Sequence, residues 1–189
     1  RNGGKLLTTN RTSIAPDFRA IEAMKFLTDL ANLHQVAAKP QDMEGIRSKD
    51  VFPMGMTAMW VDGSWNIAHL RKAAKGKFRW GISQIPMGPN AKPETAKGYA
   101  WADMLAVSPN TKNTDLAWKF IMYMTGSGRT AKDFLGGKVP AYRPIAESNA
   151  WLERDLQPSN KEVLLEIGSS TTTTSFTPKW SKWRGYAAS

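Results

Sequence analysis

The feature that most constrains this chain is a change of hydrophobic period along it. In "PDFRAIEAMKFLTDLANLH" the residues Phe18, Ile21, Met24, Leu27 and Ala31 recur at steps of three and four. That spacing lines one face of an α-helix, with Pro16 near its first turn and Pro40 beyond its end. In "FRWGISQIP" Phe78, Trp80 and Ile82 alternate at steps of two and the run stops at Pro86, which reads as a strand. A chain that switches between these periods folds as an α/β structure, with short strands pairing under covering helices.

The remaining segments extend the pattern. "TAMWVDG" has strand character from Met59, Trp60 and Val61 and is closed by Gly63, and "YAWADMLAVSP" is a second, mostly apolar strand. "QDMEGIRSKDVFPMGM" reads as a loop leading into a short helix. "SWNIAHLRKAAKGK" reads as a helix with Ser64 as N-cap and Gly76 near its C-cap. "NTDLAWKFIMYMTGSG" is a further helix opened by Asn113 or Thr114, and "RTAKDFLGG" a short one before the turn "KVPAYRPIAES". After "NAWLERDL" and "KEVLLEIGSS" comes a Thr-rich tail with two more Trp. The expected order is helix, helix, strand, helix, strand, strand, helix, helix.

Composition excludes several chemistries. The 189 residues include no Cys and only His34 and His69 as histidines. Disulfides, thiolate metal sites and Cys nucleophiles are therefore ruled out, and a His-based metal site or Ser-His triad has little to draw on. No cofactor is expected. "GSG" at 126–128 follows a helix instead of opening one after a strand, so the dinucleotide signature fails. Acid pairs such as Asp62 with Asp103, or Glu94 with Asp103, have no motif spacing behind them. No apolar run approaches the ~20 residues that span a bilayer. The formal net charge of +10 admits polyanion partners, yet the Lys and Arg are spread along the chain, as on a solvated basic surface.

What stands out is aromatic. Eight Trp are present, and Trp65 and Trp101 lie near turns, with Tyr99 and Tyr142 beside loops. Aromatic faces stack on the C–H faces of sugar rings while neighbouring Asp, Asn, Lys, Arg and backbone N–H groups read the hydroxyls. Trp118 sits mid-helix beside Ala117 and near Phe120, and Trp80 alternates with Phe78 and Ile82, so both are expected in the core. Trp60 holds a strand position and is expected as scaffold. Aromatics among basic residues also suit single-stranded nucleic acid, but no aromatic recognition strand or basic groove-binding helix is visible.

Several segments, in order, resemble the C-terminal lobe of the extracellular solute-binding proteins of ABC transporters, sugar-binding type. They are "NGG" followed by "DFRAIEAMKFLTDLANLH", then "VFPMGMTAMWVDGSW", "WGISQIPMGPNAK", "KGYAWADMLAVSPNTKNTDLAWKFIMYMT" and "GGKVPAYRPIAES" with its Gly-x-x-Pro-Ala turn. The resemblance covers residues 1 to about 146. It implies one lobe of a type II periplasmic-binding-protein clamshell, a mixed sheet covered by helices. It also implies a non-enzymatic receptor, in the periplasm or at the cell surface as a lipoprotein, with a mono- or oligosaccharide ligand, an acidic sugar included, and an ABC permease as partner. Nucleic acid is not an implied partner.

Carried over by position, the ligand-facing places are Asp62, Gly63, Ser64 and Trp65; Gly98, Tyr99 and Trp101; and Tyr142 with Arg143. The whole of 1–189 is expected to be this lobe, without the N-terminal lobe and final helix of the family. Such a lobe carries half a site and is expected to bind weakly, because closure cannot exclude water. Rival readings are a fragment of a carbohydrate-active enzyme and a polyanion or nucleic-acid binder.

Overall fold

The computed structural model describes residues 2–10, 13–89, 91–92, 98–126 and 137–172. The chain divides into two compact units: Arg1–Ala37 with Ile85–Trp101 and Ser170–Ser189, and Ala38–Gln84 with Ala102–Ser169. The expected helix at "RTAKDFLGG" and the Thr- and Trp-rich tail beyond residue 172 lie outside the described residues, apart from Gly137.

In the first unit, α1 runs over Phe18–Asn32. Asp17 caps it: the carboxylate accepts from the Ala20 N–H at 2.9 Å, satisfying one of the orphan donors of a helix start. That hydrogen bond, with Arg19 nearby, holds the Asp17 carboxyl below its ordinary pKa of 3.8. The "NGG" stretch explains itself by packing against this helix start. A side chain at Gly4 would collide with the backbone of Arg19 and Ala20. Asn2, buried at 6% exposure, donates to the Arg19 carbonyl at 2.9 Å and to Glu22 Oε2 at 2.6 Å. The α1 stripe of Phe18, Ile21, Met24 and Leu27 stays more than half exposed, and Ala20 is the buried residue of this helix.

Between "NGG" and α1 the chain doubles back. Leu7 and Ile14 form an antiparallel bridge, flanked by Thr8 N–H to Ser13 O and Ala15 N–H to Leu6 O. Two short strands complete this unit: β1, Gly98–Tyr99, pairs in parallel with β2, Thr171–Thr172.

The second unit is mostly helical. A 3₁₀ turn at Pro40–Met43 precedes α2, Ser48–Val51. A 3₁₀ turn at Ser64–Asn66 runs directly into α3, Ile67–Ala73, and α4 spans Thr114–Gly126. Then come α5, Arg143–Ala146, α6, Asn149–Leu152, and α7, Val163–Ser169. The core cluster is Ile145, Trp151 and Leu152, with Leu164 and Leu165 packed against it.

Trp151 is fully buried. Its indole N–H donates to the Lys138 carbonyl at 2.8 Å, which removes the penalty for enclosing a donor. The Lys161 ammonium lies 4.2 Å from the centre of the same ring and donates to the Trp151 carbonyl at 2.5 Å. Its ion-pair partner is Glu153, at 3.3 Å, which also pairs with Arg71.

Three expectations are corrected. The segments "TAMWVDG", "FRWGISQIP" and "YAWADMLAVSP" form no strands among the described residues beyond Gly98–Tyr99. β-propensity describes fit to a pleated surface, and it produces a strand only where a partner edge lies alongside. At Ile82 a side chain stands in for that partner: Asn160 Oδ1 accepts the Ile82 N–H at 3.0 Å and Asn160 Nδ2 donates to its carbonyl at 2.7 Å.

Trp118, expected in the core, is 57% exposed, and α4 has no buried residue. Its apolar residues run all round the helix, so mid-helix position alone says nothing about which face is covered. Ser64 is also not the helix cap. The N-cap of α3 is Asn66, and Ser64 opens the preceding 3₁₀ turn, whose own N-cap is Gly63 and whose Asn66 N–H donates to the Gly63 carbonyl.

Trp151→Ala is expected to cost about 3–5 kcal/mol in urea unfolding, because it empties the core and strips Lys161 of its ring. A separate expectation concerns acid. A carboxyl whose folded pKa is depressed stabilises above its unfolded pKa, and that contribution disappears as pH falls through the folded value. Acidification below 3.8 should therefore lower the melting temperature, and Asp17→Asn, which keeps an acceptor but no charge, should flatten that pH dependence.

Candidate functional site

The aromatic residues singled out in the sequence fall in both units, and each unit positions them in a different way. In the second unit one patch is the turn before α3. The Asp62 carboxylate folds back and accepts the Gly63 N–H at 2.6 Å. The indole of Trp65 lies directly over Gly63, so close that a methyl group there would penetrate the ring. Gly63 is thus required by the ring above it. The ring itself is 50% exposed, so this packing fixes its position without covering it.

A second glycine holds the turn from the other side. The space where a side chain at Gly137 would sit is taken by the Ser64 carbonyl and by Ile67. Ile67 is buried at 4% exposure. The turn is therefore pinned between its own indole and the backbone of Gly137, the first residue of the Gly-x-x-Pro-Ala stretch. Beyond that stretch, Tyr142 is the N-cap residue of α5 and 55% exposed. The Nε of Arg143 donates to Glu147 Oε1 at 2.7 Å, and this pairing raises the guanidinium pKa. Its remaining N–H groups lie on an exposed side chain.

In the first unit, Gly98 is buried and its N–H donates to the Ser170 carbonyl at 3.1 Å. The strand pairing it begins holds out Tyr99, and Trp101 follows two residues on. The two rings are stacked, with centroids 6.1 Å apart and planes at 19°. Each is 56% exposed. The two rings, one at the end of the ladder and one two residues beyond it, leave apolar ring surface open to solvent, which is costly to leave wet unless something covers it.

The structure thus groups Asp62, Gly63, Ser64 and Trp65 in one turn, and Gly98, Tyr99 and Trp101 in one strand end. Among the described residues no catalytic constellation surrounds them. Asp103 is ion-paired with Lys138, Asp62 is engaged by its neighbour's N–H, and Glu94 lies outside the described residues. Among the described residues no group of three or more His, Asp or Glu is gathered to hold a metal ion. Gly137 is the supporting residue that reading side chains alone misses. Its signal was the Gly-x-x-Pro-Ala spacing, because a residue without a Cβ marks close backbone approach.

These features meet a known class. The chain belongs to the bacterial extracellular solute-binding protein family, whose model matches residues 12–157. In three dimensions it is similar to an ABC substrate-binding protein from Listeria monocytogenes, solved in complex with cycloalternan, with a TM-score of 0.69 and 22% sequence identity. The match covers 96% of this chain and 45% of that one, so the chain spans less than half the length of the structure it resembles. No curated protein sequence matches it. The fold is accordingly that of the solute-binding proteins, the type II clamshell class, and both the family and the structural neighbour are binding proteins. No helix among the described residues is long and apolar enough to cross a membrane.

Gly137→Ala should displace the Ser64 carbonyl. Gly63→Ala should expel the Trp65 ring from its seat. Both are expected to shift the Trp65 indole resonance in ¹H–¹⁵N spectra, and Gly63→Ala, whose site does not include the Lys138 carbonyl that accepts the Trp151 N–H, should leave the Trp151 indole resonance in place. Unchanged Trp65 signals in both variants would contradict the pinned-turn geometry.

Proposed function

We propose that this chain is the C-terminal lobe of an extracellular receptor that binds a sugar or oligosaccharide and delivers it to the membrane permease of an ABC transporter. The observation that carries the reading is the stacked, half-exposed Tyr99–Trp101 pair. An exposed aromatic face matches the C–H face of a pyranose, and stacking there needs no charge on the ligand. Trp65, fixed but uncovered over Gly63, offers a second such face, with the Asp62 carboxylate beside it for hydroxyl recognition. Tyr142 and the unpaired N–H groups of Arg143 are further polar contacts on this reading.

Membership of the solute-binding family supports the receptor role. The cycloalternan held by the structural neighbour favours an oligosaccharide over a single sugar unit. On this reading the receptor binds its ligand without altering it, as the binding-protein character of the family and of the structural neighbour supports. Localisation outside the cytoplasm follows the family.

Calorimetric titration with a panel of linear and cyclic glucose oligosaccharides tests this directly. Saturable binding is expected for at least one member, almost insensitive to salt, with no cleavage product after incubation. Trp101→Ala should weaken that binding by about tenfold or more, the effect of removing a stacking face worth roughly 1–3 kcal/mol, while the melting temperature barely moves. Absence of binding across the panel, or appearance of hydrolysis products, would overturn the reading.

A further inference from the structure

A second cavity lies in the helical unit, away from the turn at 62–65 in sequence and built from different chemistry. It has a volume of about 520 Å³ and is lined by Arg71 and Lys75 at the end of α3, by Lys77, Arg79 and Trp80 of the following segment, and by Asp155. That volume is within the ~300–1,000 Å³ common for small-molecule sites. The sequence supplies the cations at nearly every second position, "RKAAKGKFRW", and the turn at Gly76, with φ of 74°, folds them around one space.

The charges do not cancel. Arg71 and Lys161 share the carboxylate of Glu153, so that trio keeps one positive charge. Lys75, Lys77 and Arg79 add three more, against the single carboxylate of Asp155. The carbonyl end of α3 contributes only about half a negative charge. The cavity therefore has a positive potential focused by the low-dielectric wall of Ala74, Phe78 and Leu156.

Donors are also left over. Arg71 Nε donates to the Gln157 carbonyl at 2.5 Å and Nη1 pairs with Glu153, which fixes the guanidinium plane. Its Nη2 is buried without an acceptor among the described residues. Lys77 Nζ reaches only the Pro53 carbonyl at a long 3.3 Å. Trp80, half-buried on the wall, presents a ring beside these cations.

We propose that this cavity is a binding site for an anionic sugar, one whose phosphate or carboxylate is held by Lys75 and Arg79 while its ring lies against Trp80. It is separate from the aromatic patches at Trp65 and at Tyr99–Trp101, and it does not depend on their reading. A rigid Arg fork suits a planar or tetrahedral oxyanion, and the two Lys and Arg side chains at the mouth supply steering.

The probes are glucose 6-phosphate and glucuronate, with glucose as the neutral control, titrated calorimetrically into the full chain. At least one anion should bind saturably, more tightly than glucose, with affinity falling as salt rises. The double variant Lys75→Gln/Arg79→Gln, which leaves the Arg71–Glu153–Lys161 trio intact, should weaken that binding about tenfold or more without changing the circular dichroism or melting temperature. The charge-matched double variant Lys112→Gln/Lys119→Gln, on exposed positions at and before α4, should bind as the parent does. The difference between the two anions tells phosphate from carboxylate. Failure of both anions to bind, equal binding of glucose, or equal weakening in the two double variants would each overturn the proposal.

Discussion

The helical unit depends on one buried ammonium. Lys161 is 1% exposed, and an isolated charge at that depth would not be tolerated. Among the contacts that make it possible are the face of Trp151, the carbonyl of Trp151 and the carboxylate of Glu153. Glu153 reaches it because its own backbone is left-handed, with φ of 49°, ending α6 and turning the side chain back. The same carboxylate holds Arg71 of α3. One residue after a short helix thus connects α3, α6 and the segment entering α7. Removing Glu153 leaves the Lys161 and Arg71 cations without their shared carboxylate, which costs far more than the trio contributes against a well-packed apolar replacement.

The same logic of forced proximity governs the candidate ligand surfaces. At Gly63 and Gly137 the absence of a Cβ lets an indole and a backbone carbonyl come closer than any other residue would permit. The result is a Trp65 ring whose position is determined by packing on one face and whose other parts stay wet. At Tyr99 and Trp101 the positioning device is a two-residue parallel ladder and ring-on-ring stacking. In both places rigidity precedes any ligand, which reduces the ordering cost of binding.

Helices were the legible part of the sequence, because a stripe with caps is a local signal. The 18–31 pattern became α1, with Asp17 as its cap, and the 114–126 pattern became α4. The order of segments also carried the family, as the match over residues 12–157 bears out. The strands were less legible: Met59, Trp60 and Val61 have the right residue types, but a ladder needs a partner that no local window contains. Trp151 and Lys161 were invisible as a core pair for a related reason. "KEVLLE" reads as an ordinary solvated helix start, and the burial of its Lys is decided by Trp151 and Glu153, eight to ten residues away. Trp118 failed in the opposite direction, since helical spacing shows that a residue repeats with its neighbours and not that anything covers them.

Of the two tryptophans in "MTAMWVDGSW", the second is the one proposed to meet a ligand. Trp60 is half-buried in an irregular segment, whereas Trp65 is seated on Gly63 and left open. The most direct test of the account is mapping of an oligosaccharide on the ¹⁵N-labelled protein through its tryptophan indole N–H signals. The account predicts that Trp101 and Trp65 shift on titration while Trp151, sealed in the core, does not. Shifts confined to other indoles, with Trp65 and Trp101 unmoved at saturation, would contradict it.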